Sequence, residues 1–284
     1  FPCDQMSTTY VDEFGLRTRY GVAVRYLELE RVRKTAQEQP QGAIGVLRRE
    51  IESSGQQIRV DERNLTEGVK YALALEQVME EENLQVLAMN DVIDEMHASF
   101  GLRPCLTNPR FSASGAVVSM EADIAAGLCM FILRLYLDQS PFYTETFSAD
   151  YAANALLLGH AGYHDTVNAD PDFPVQIVAD VEYENTDRFS GAVSFFKYRS
   201  GPVTVVNSVW DGEKLKWVLV QGESLPGPAK MDGNSHLFCR LEGPGKEVFR
   251  RAVESGGSQH WIVVQGHHGQ SVAELCDHLA IRLL

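Results

Sequence analysis

Two glutamates and a histidine stand at the ends of adjacent segments in the middle of the chain. Glu121 lies in Ser119-Met120-Glu121-Ala122-Asp123, just ahead of an apolar run from Ile124 to Leu137. Glu145 closes Pro141-Phe142-Tyr143-Thr144-Glu145, and His160 ends Leu156-Leu157-Leu158-Gly159-His160. Element ends are where a rigid scaffold meets loops that line a cleft. Two carboxylates and an imidazole make a borderline-hard donor set suited to Mn²⁺, Fe²⁺, Co²⁺ or Zn²⁺. The same residues also have a plainer reading, since acids favour a helix N-terminus and a strand-end imidazole can simply be hydrogen-bonded. A Gly-rich loop, Gly256-Gly257-Ser258-Gln259, delivers a further histidine, His260, to the mouth of the strand that runs to Gly266.

Other chemistry-bearing residues have weaker cases. Asp123, two residues from Glu121, suits a role in orienting the site or capping the following helix. His267 and His268 are adjacent, and neighbouring side chains diverge on an extended backbone; they and His164 read as loop or packing residues, and His97 and His236 receive no role. Trp210, Trp217 and Trp261 suit either core packing or an apolar wall for a bound ring. No GxSxG motif supports covalent hydrolysis, and no Gly-rich phosphate fingerprint supports a dinucleotide site.

The elements that must position these residues fall into two textures. Phe1 to about Asn168 reads as α/β. Gly21 to Leu27 is a strand candidate after a Phe14-Gly15 turn, and Glu28 to Gln39 a helix ending before Pro40. Asn64 with Glu67 has capping-box spacing and opens a helix to about Asn83, with Val69, Leu73, Leu75, Val78 and Met79 buried. Leu84 to Met89 is a compact apolar strand, and this strand–helix–strand rhythm argues a parallel sheet. Beyond a boundary rich in Asp, Asn and Pro at Asp165–Phe173, residues 169–284 read as β-rich. Val175–Val181, Ala192–Tyr198, Val203–Val209 and Leu215–Glu223 alternate with period two, and Trp210-Asp211-Gly212-Glu213 fits a hairpin turn. An antiparallel sheet or barrel-like domain follows, with a further strand at Phe238–Leu241, a short helix or turn at Glu247–Val253 and a closing helix from Ser271 to about Ile281.

Composition excludes several classes. The formal net charge is −14 and the pI near 5.0, which argues against a nucleic-acid backbone as partner. No apolar run approaches the length that spans a bilayer. Cys3, Cys105, Cys129, Cys239 and Cys276 lie far apart without a CxxC motif, so neither a zinc ribbon nor a dithiol redox site is indicated. Cys129 and Cys276 read as buried free thiols, and the cytoplasm is the expected compartment.

The motifs also carry a resemblance. Pro-Cys at 104–105, Ser-x-Glu-x-Asp before a long apolar helix, an acid after Pro-x-x-x, Leu-x-x-x-His-x-Gly, and Gly-x-x-His in the tail occur in the order seen in the L-fucose isomerase and L-arabinose isomerase group. The likeness runs from about Tyr71 to Leu284 and resembles the middle and C-terminal domains of those enzymes. It implies a metal-dependent aldose–ketose isomerase that moves a proton between C1 and C2 of a free monosaccharide by an ene-diol route. Glu121 and Glu145 would be both catalytic residues and metal ligands, and His260 and His160 would complete the shell around Mn²⁺ or another divalent metal. Glu145 stands where L-fucose isomerases carry Asp and L-arabinose isomerases Glu. The resemblance further implies a homo-oligomer and a preceding N-terminal α/β domain, expected to be missing from this chain. A non-catalytic sugar-binding or assembly protein and a different metal-dependent carbohydrate enzyme are the competing classes.

Overall fold

The computed structural model describes residues 6–182 and 191–284; Cys3 lies outside them. Helices run Glu13–Tyr20 (α1), Leu29–Gln37 (α2), Gln41–Ser53 (α3), Glu62–Glu81 (α4), Asp94–Phe100 (α5), Pro109–Ala113 (α6), Ile124–Leu137 (α7), Gly245–Glu254 (α8) and Gly269–Leu279 (α9). Strands are Gln57–Ile58 (β1), Val86–Ala88 (β2), Val117–Ser119 (β3), Phe142–Asp150 (β4), Ala155–His160 (β5), Gln176–Ala179 (β6), Ala192–Phe195 (β7), Gly201–Trp210 (β8), Leu215–Ser224 (β9), Ser235–Leu241 (β10), His260–Gln265 (β11) and Arg282–Leu283 (β12). None of the described helices is long and apolar enough to cross a membrane.

Six antiparallel strands close on themselves in the order β10-β5-β4-β11-β8-β9, with β9 returning to β10, and β12 adds in parallel to β9. Closure removes the exposed edges that an open antiparallel sheet would leave. Alternate residues of all six strands, among them Phe142, Leu158, Val205, Val218, Leu237, Cys239 and Val263, meet in one buried cluster that also receives Val248 and Ala252 of α8. The opposite parity, including Tyr143, Val206, Trp217, Ile262 and Val264, joins a second cluster with α7, α9 and one face of α4. The period-two pattern of these strands thus serves two cores at once.

Outside the barrel, β2 and β3 form a parallel pair, and β1, β6 and β7 a small mixed sheet. Helix α7 lies between the parallel pair and the barrel. Its close approach depends on Gly127, where a Cβ would come within 2.7 Å of Val86 and 2.8 Å of the Ser119 hydroxyl. Helix α4 is buried on two sides: Tyr71, Ala74, Leu75 and Met79 face the main core, and Leu65, Val69, Ala72 and Leu73 pack on α3, β6 and β7.

Several sequence expectations change in detail. Phe14-Gly15 lies inside α1 rather than in a turn, and residues 21–27 belong to no strand, Gly21 being the left-handed cap that ends α1. Val22 and Val24 alternate inward against the main core, so the period is there without a neighbouring strand to complete a ladder. Helix α4 begins one turn earlier than the Asn64–Glu67 spacing implies, because the Asp61 carboxylate accepts the amides of Arg63 and Asn64. Of the four strands expected after Val175, β8 and β9 enter the barrel while β6 and β7 build the separate sheet. The barrel also takes β4 and β5, so its ladders span both sides of residue 168, and β1–β6 pairing does the same. The turn at Asp211 is present, its carboxylate accepting the amides of Glu213 and Lys214. Cys105, Cys129, Cys239 and Cys276 are all buried free thiols.

Candidate metal centre

Glu121 sits on the turn that carries the chain from β3 into α7. Its φ is +57° and that of Ala122 +56°, the left-handed region that costs a non-Gly residue about 1–2 kcal/mol. Residues are held in such conformations only when their surroundings over-determine them. Here the Glu121 amide donates to Asp91 Oδ1 at 2.8 Å and the Ala122 amide to the Met89 carbonyl at 2.9 Å. The Tyr143 hydroxyl donates to the Met120 carbonyl at 3.1 Å, and the Ser119 hydroxyl to that of Asp123 at 2.8 Å. Asp123 then opens α7, one oxygen accepting the Ala126 amide at 2.9 Å. The turn lies at the C-terminal ends of parallel strands, where open α/β sheets place their ligands.

The barrel supplies the other side. His260 is the first residue of β11 and His160 the last of β5; both are buried. One imidazole atom from each histidine and one Glu121 oxygen lie within 4.8 Å of one another. His260 Nε2 is 3.0 Å from Glu121 Oε2, and His160 Nε2 3.7 Å from Glu121 Oε1. Both histidines are fixed through the opposite nitrogen: His260 Nδ1 donates to Asp123 Oδ2 at 2.7 Å, and His160 Nδ1 to the Ala161 carbonyl. Nε2 is therefore the atom each ring offers, the arrangement that carboxylate- or carbonyl-anchored histidines use toward metals. Tyr143 lies beneath both rings, its centroid 4.9 Å from that of His160 and 4.7 Å from that of His260.

Electrostatics follows from this packing. Burial alone would raise the Glu121 pKa, but the neighbouring imidazoles of His160, 3.7 Å away, and of His260, hydrogen-bonded at 3.0 Å, hold the carboxyl well below its usual range. Burial would lower the His260 pKa; the carboxylates of Asp123 and Glu121 outweigh it and lift the ring to about 9. The exposed Gln259 also donates to Glu121 Oε2, at 2.8 Å.

The residue set fits a divalent cation. His160 Nε2 is buried without a hydrogen-bond partner, a costly condition for a polar atom that ligation would relieve. The donors are two imidazole nitrogens and one carboxylate, a composition suited to first-row transition metals.

Of the four ligand candidates drawn from the sequence, Glu121, His160 and His260 come together and Glu145 stands apart from that cluster. Glu145 is nevertheless directly opposite His260 in the β4–β11 ladder, and so on the same barrel face, half-buried. His164 is enclosed by Phe142 and Phe196, His267 bonds the Gly222 carbonyl, and His268 that of Gln265. Asp91, Tyr143 and Gln259 were not singled out from sequence. Asp91 had a usable signal, an acid just past a strand parallel to the one that ends before Glu121. Tyr143 reads in sequence as one more core aromatic.

No protein-family signature matches the chain. It is similar to two curated proteins, both named sulfoquinovose isomerase, from Priestia aryabhattai and from Priestia megaterium (strain ATCC 12872 / QMB1551). Each is 26% identical over 271 residues, which is 93% of this chain and 58% of the relative. The chain thus spans rather more than half the length of these relatives. The likeness is to a sugar isomerase and does not single out the L-fucose or L-arabinose enzymes.

Proposed function

We propose that this chain carries the metal-binding part of an aldose–ketose isomerase that acts on a free sugar by an ene-diol route. The observation that carries the reading is the convergence of Glu121, His160 and His260, with both rings anchored through Nδ1 and one Nε2 left unpartnered. The similarity to proteins named sulfoquinovose isomerase supports the reaction class. Glu121, His160 and His260 would hold the cation, for which Mn²⁺ is proposed; when bound, it supplies positive charge against the negative charge that develops across C1 and C2.

The side chains divide the remaining work by their environments. Glu121, held ionised by its neighbours, is a poor proton carrier at neutral pH and serves as an anionic ligand. Glu145, opposite His260 and partly open to solvent, is the proposed base that takes a proton from one sugar carbon and returns it to the next. Asp123 keeps the His260 ring in one orientation while capping α7, and buried Tyr143 excludes water beneath the two imidazoles. Sulfoquinovose, L-fucose and L-arabinose are the substrates to compare; a cytoplasmic homo-oligomer is part of the same proposal.

The test is Mn²⁺ calorimetry on the chain, Glu121→Gln and Glu145→Ala, with ketose formation assayed from the three sugars. Binding lost in Glu121→Gln, together with turnover lost in Glu145→Ala, is the expected result. A folded chain that binds no Mn²⁺, or binds it equally well after Glu121→Gln, would overturn the reading.

A further inference from the structure

We infer that Asp91 and Arg103 are positioning residues for the proposed metal centre, acting through the backbone of Glu121. The inference rests on the reading of Glu121, His160 and His260 as ligands. Asp91 lies just beyond β2 and is 1% exposed. Its carboxylate is shared between two tasks: Oδ1 accepts the Glu121 amide at 2.8 Å, and Oδ2 faces Arg103 Nη1 at 3.2 Å.

Arg103, 2% exposed, is itself locked from the far side. Its Nε and Nη2 donate to the two oxygens of Asp180, each at 2.7 Å, and Nη1 also reaches Glu182 at 2.6 Å. Asp180 directly follows β6, so the small mixed sheet is tied through a two-pronged guanidinium bond to Asp91, and through Asp91 to the turn that presents Glu121. Only an arginine makes that planar fork. A buried charge cluster of this kind is weak as a source of stability, because desolvation offsets attraction; what it supplies is one fixed orientation of Asp91.

The turn needs that orientation. Glu121 and Ala122 are both left-handed without being glycine, and the segment after β2 grips both amides, through Asp91 Oδ1 and the Met89 carbonyl. If Asp91 lets go, the turn can relax toward ordinary φ values and swing the Glu121 carboxylate away from the two imidazoles.

The experiment measures Mn²⁺ affinity by calorimetry well below the melting temperature, alongside thermal unfolding. Asp91→Ala should weaken Mn²⁺ binding roughly 10–100-fold, the usual cost of losing an outer partner of a metal ligand, and Arg103→Lys about tenfold. Asp91→Asn keeps an oxygen for the Glu121 amide and should recover much of the loss. It also carries the test, with Arg103→Lys, should Asp91→Ala fail to fold. Lys197→Met is the control for a merely structural effect, since it breaks a different buried ion pair, Lys197 to Asp170 at 2.7 Å. It should lower the melting temperature and leave Mn²⁺ affinity within about twofold of the parent, a difference too small to reflect a lost outer partner. Unchanged affinity in folded Asp91→Ala, or an equal loss in Lys197→Met, would overturn the inference while leaving the metal site standing. Absence of Mn²⁺ binding in the parent chain would overturn both.

Discussion

His164 offers a measurement of how strictly the ground beneath the site is packed. Its ring lies 4.6 Å from that of Phe142 and 6.2 Å from that of Phe196, centroid to centroid. Nε2 donates to the His160 carbonyl at 2.8 Å, while Nδ1 is buried without a partner. Burial disfavours the imidazolium and pushes the pKa down to about 3, against about 6.5 in an unfolded chain. The unfolded state therefore binds the proton first as pH falls, and stability is lost progressively from about pH 6.5 down to about pH 3. At about pH 5 the unfolded histidine is largely protonated and the folded one is not, which amounts to about 1.5 pKa units or about 2 kcal/mol. His164→Gln removes the titration and keeps an N–H donor for the His160 carbonyl. Urea unfolding of parent and variant at about pH 7 and about pH 5 isolates the effect, because other titrating groups cancel in the comparison. The parent should lose about 2 kcal/mol more than the variant between the two conditions. Equal losses would refute the account of His164 as a neutral ring held by its aromatic surroundings.

Two further expectations concern the site itself. His260 is lifted to about 9 by Asp123 and Glu121 against the effect of burial, so a metal must displace its proton at neutral pH. Apparent Mn²⁺ affinity should climb by up to about tenfold per pH unit from about pH 7 toward that value. Calorimetry in buffers of different ionisation heat should show about one proton released per metal; no release and a flat profile would contradict the assignment. Tyr143→Phe removes one of two donors to the Met120 carbonyl, which keeps the Asp123 amide, and should cost about 1 kcal/mol in urea unfolding, the net worth of one hydrogen bond.

Much of the secondary structure could be read from the chain because it follows local rules. The apolar spacing of Val69, Leu73, Leu75, Val78 and Met79 marks α4, although that helix starts at the Asp61 cap rather than at Asn64. Alternation and the Asp-Gly turn mark β8 and β9. The same alternation marks residues 21–27, which pair with nothing in the described structure, and β6 and β7, which join a different sheet from β8 and β9. A period of two says that a segment has two distinct faces; it carries no information about which strand completes its hydrogen bonds.

By itself, the sequence determined the kind of donors available and where along each element they sit: an acid ahead of α7, a histidine ending β5 and another opening β11. Tertiary structure alone decided that β4 pairs with β11 and so sets Glu145 across from His260, while the β3–α7 turn swings Glu121 in from outside the barrel. It also decided that Asp91, Arg103 and Asp180, from three separate segments, fix that turn. The turn contains no glycine to advertise its left-handed backbone, and the groups that hold it are remote in the chain. Its geometry is set by a balance of long-range hydrogen bonds against local strain, which exists only once the segments have packed.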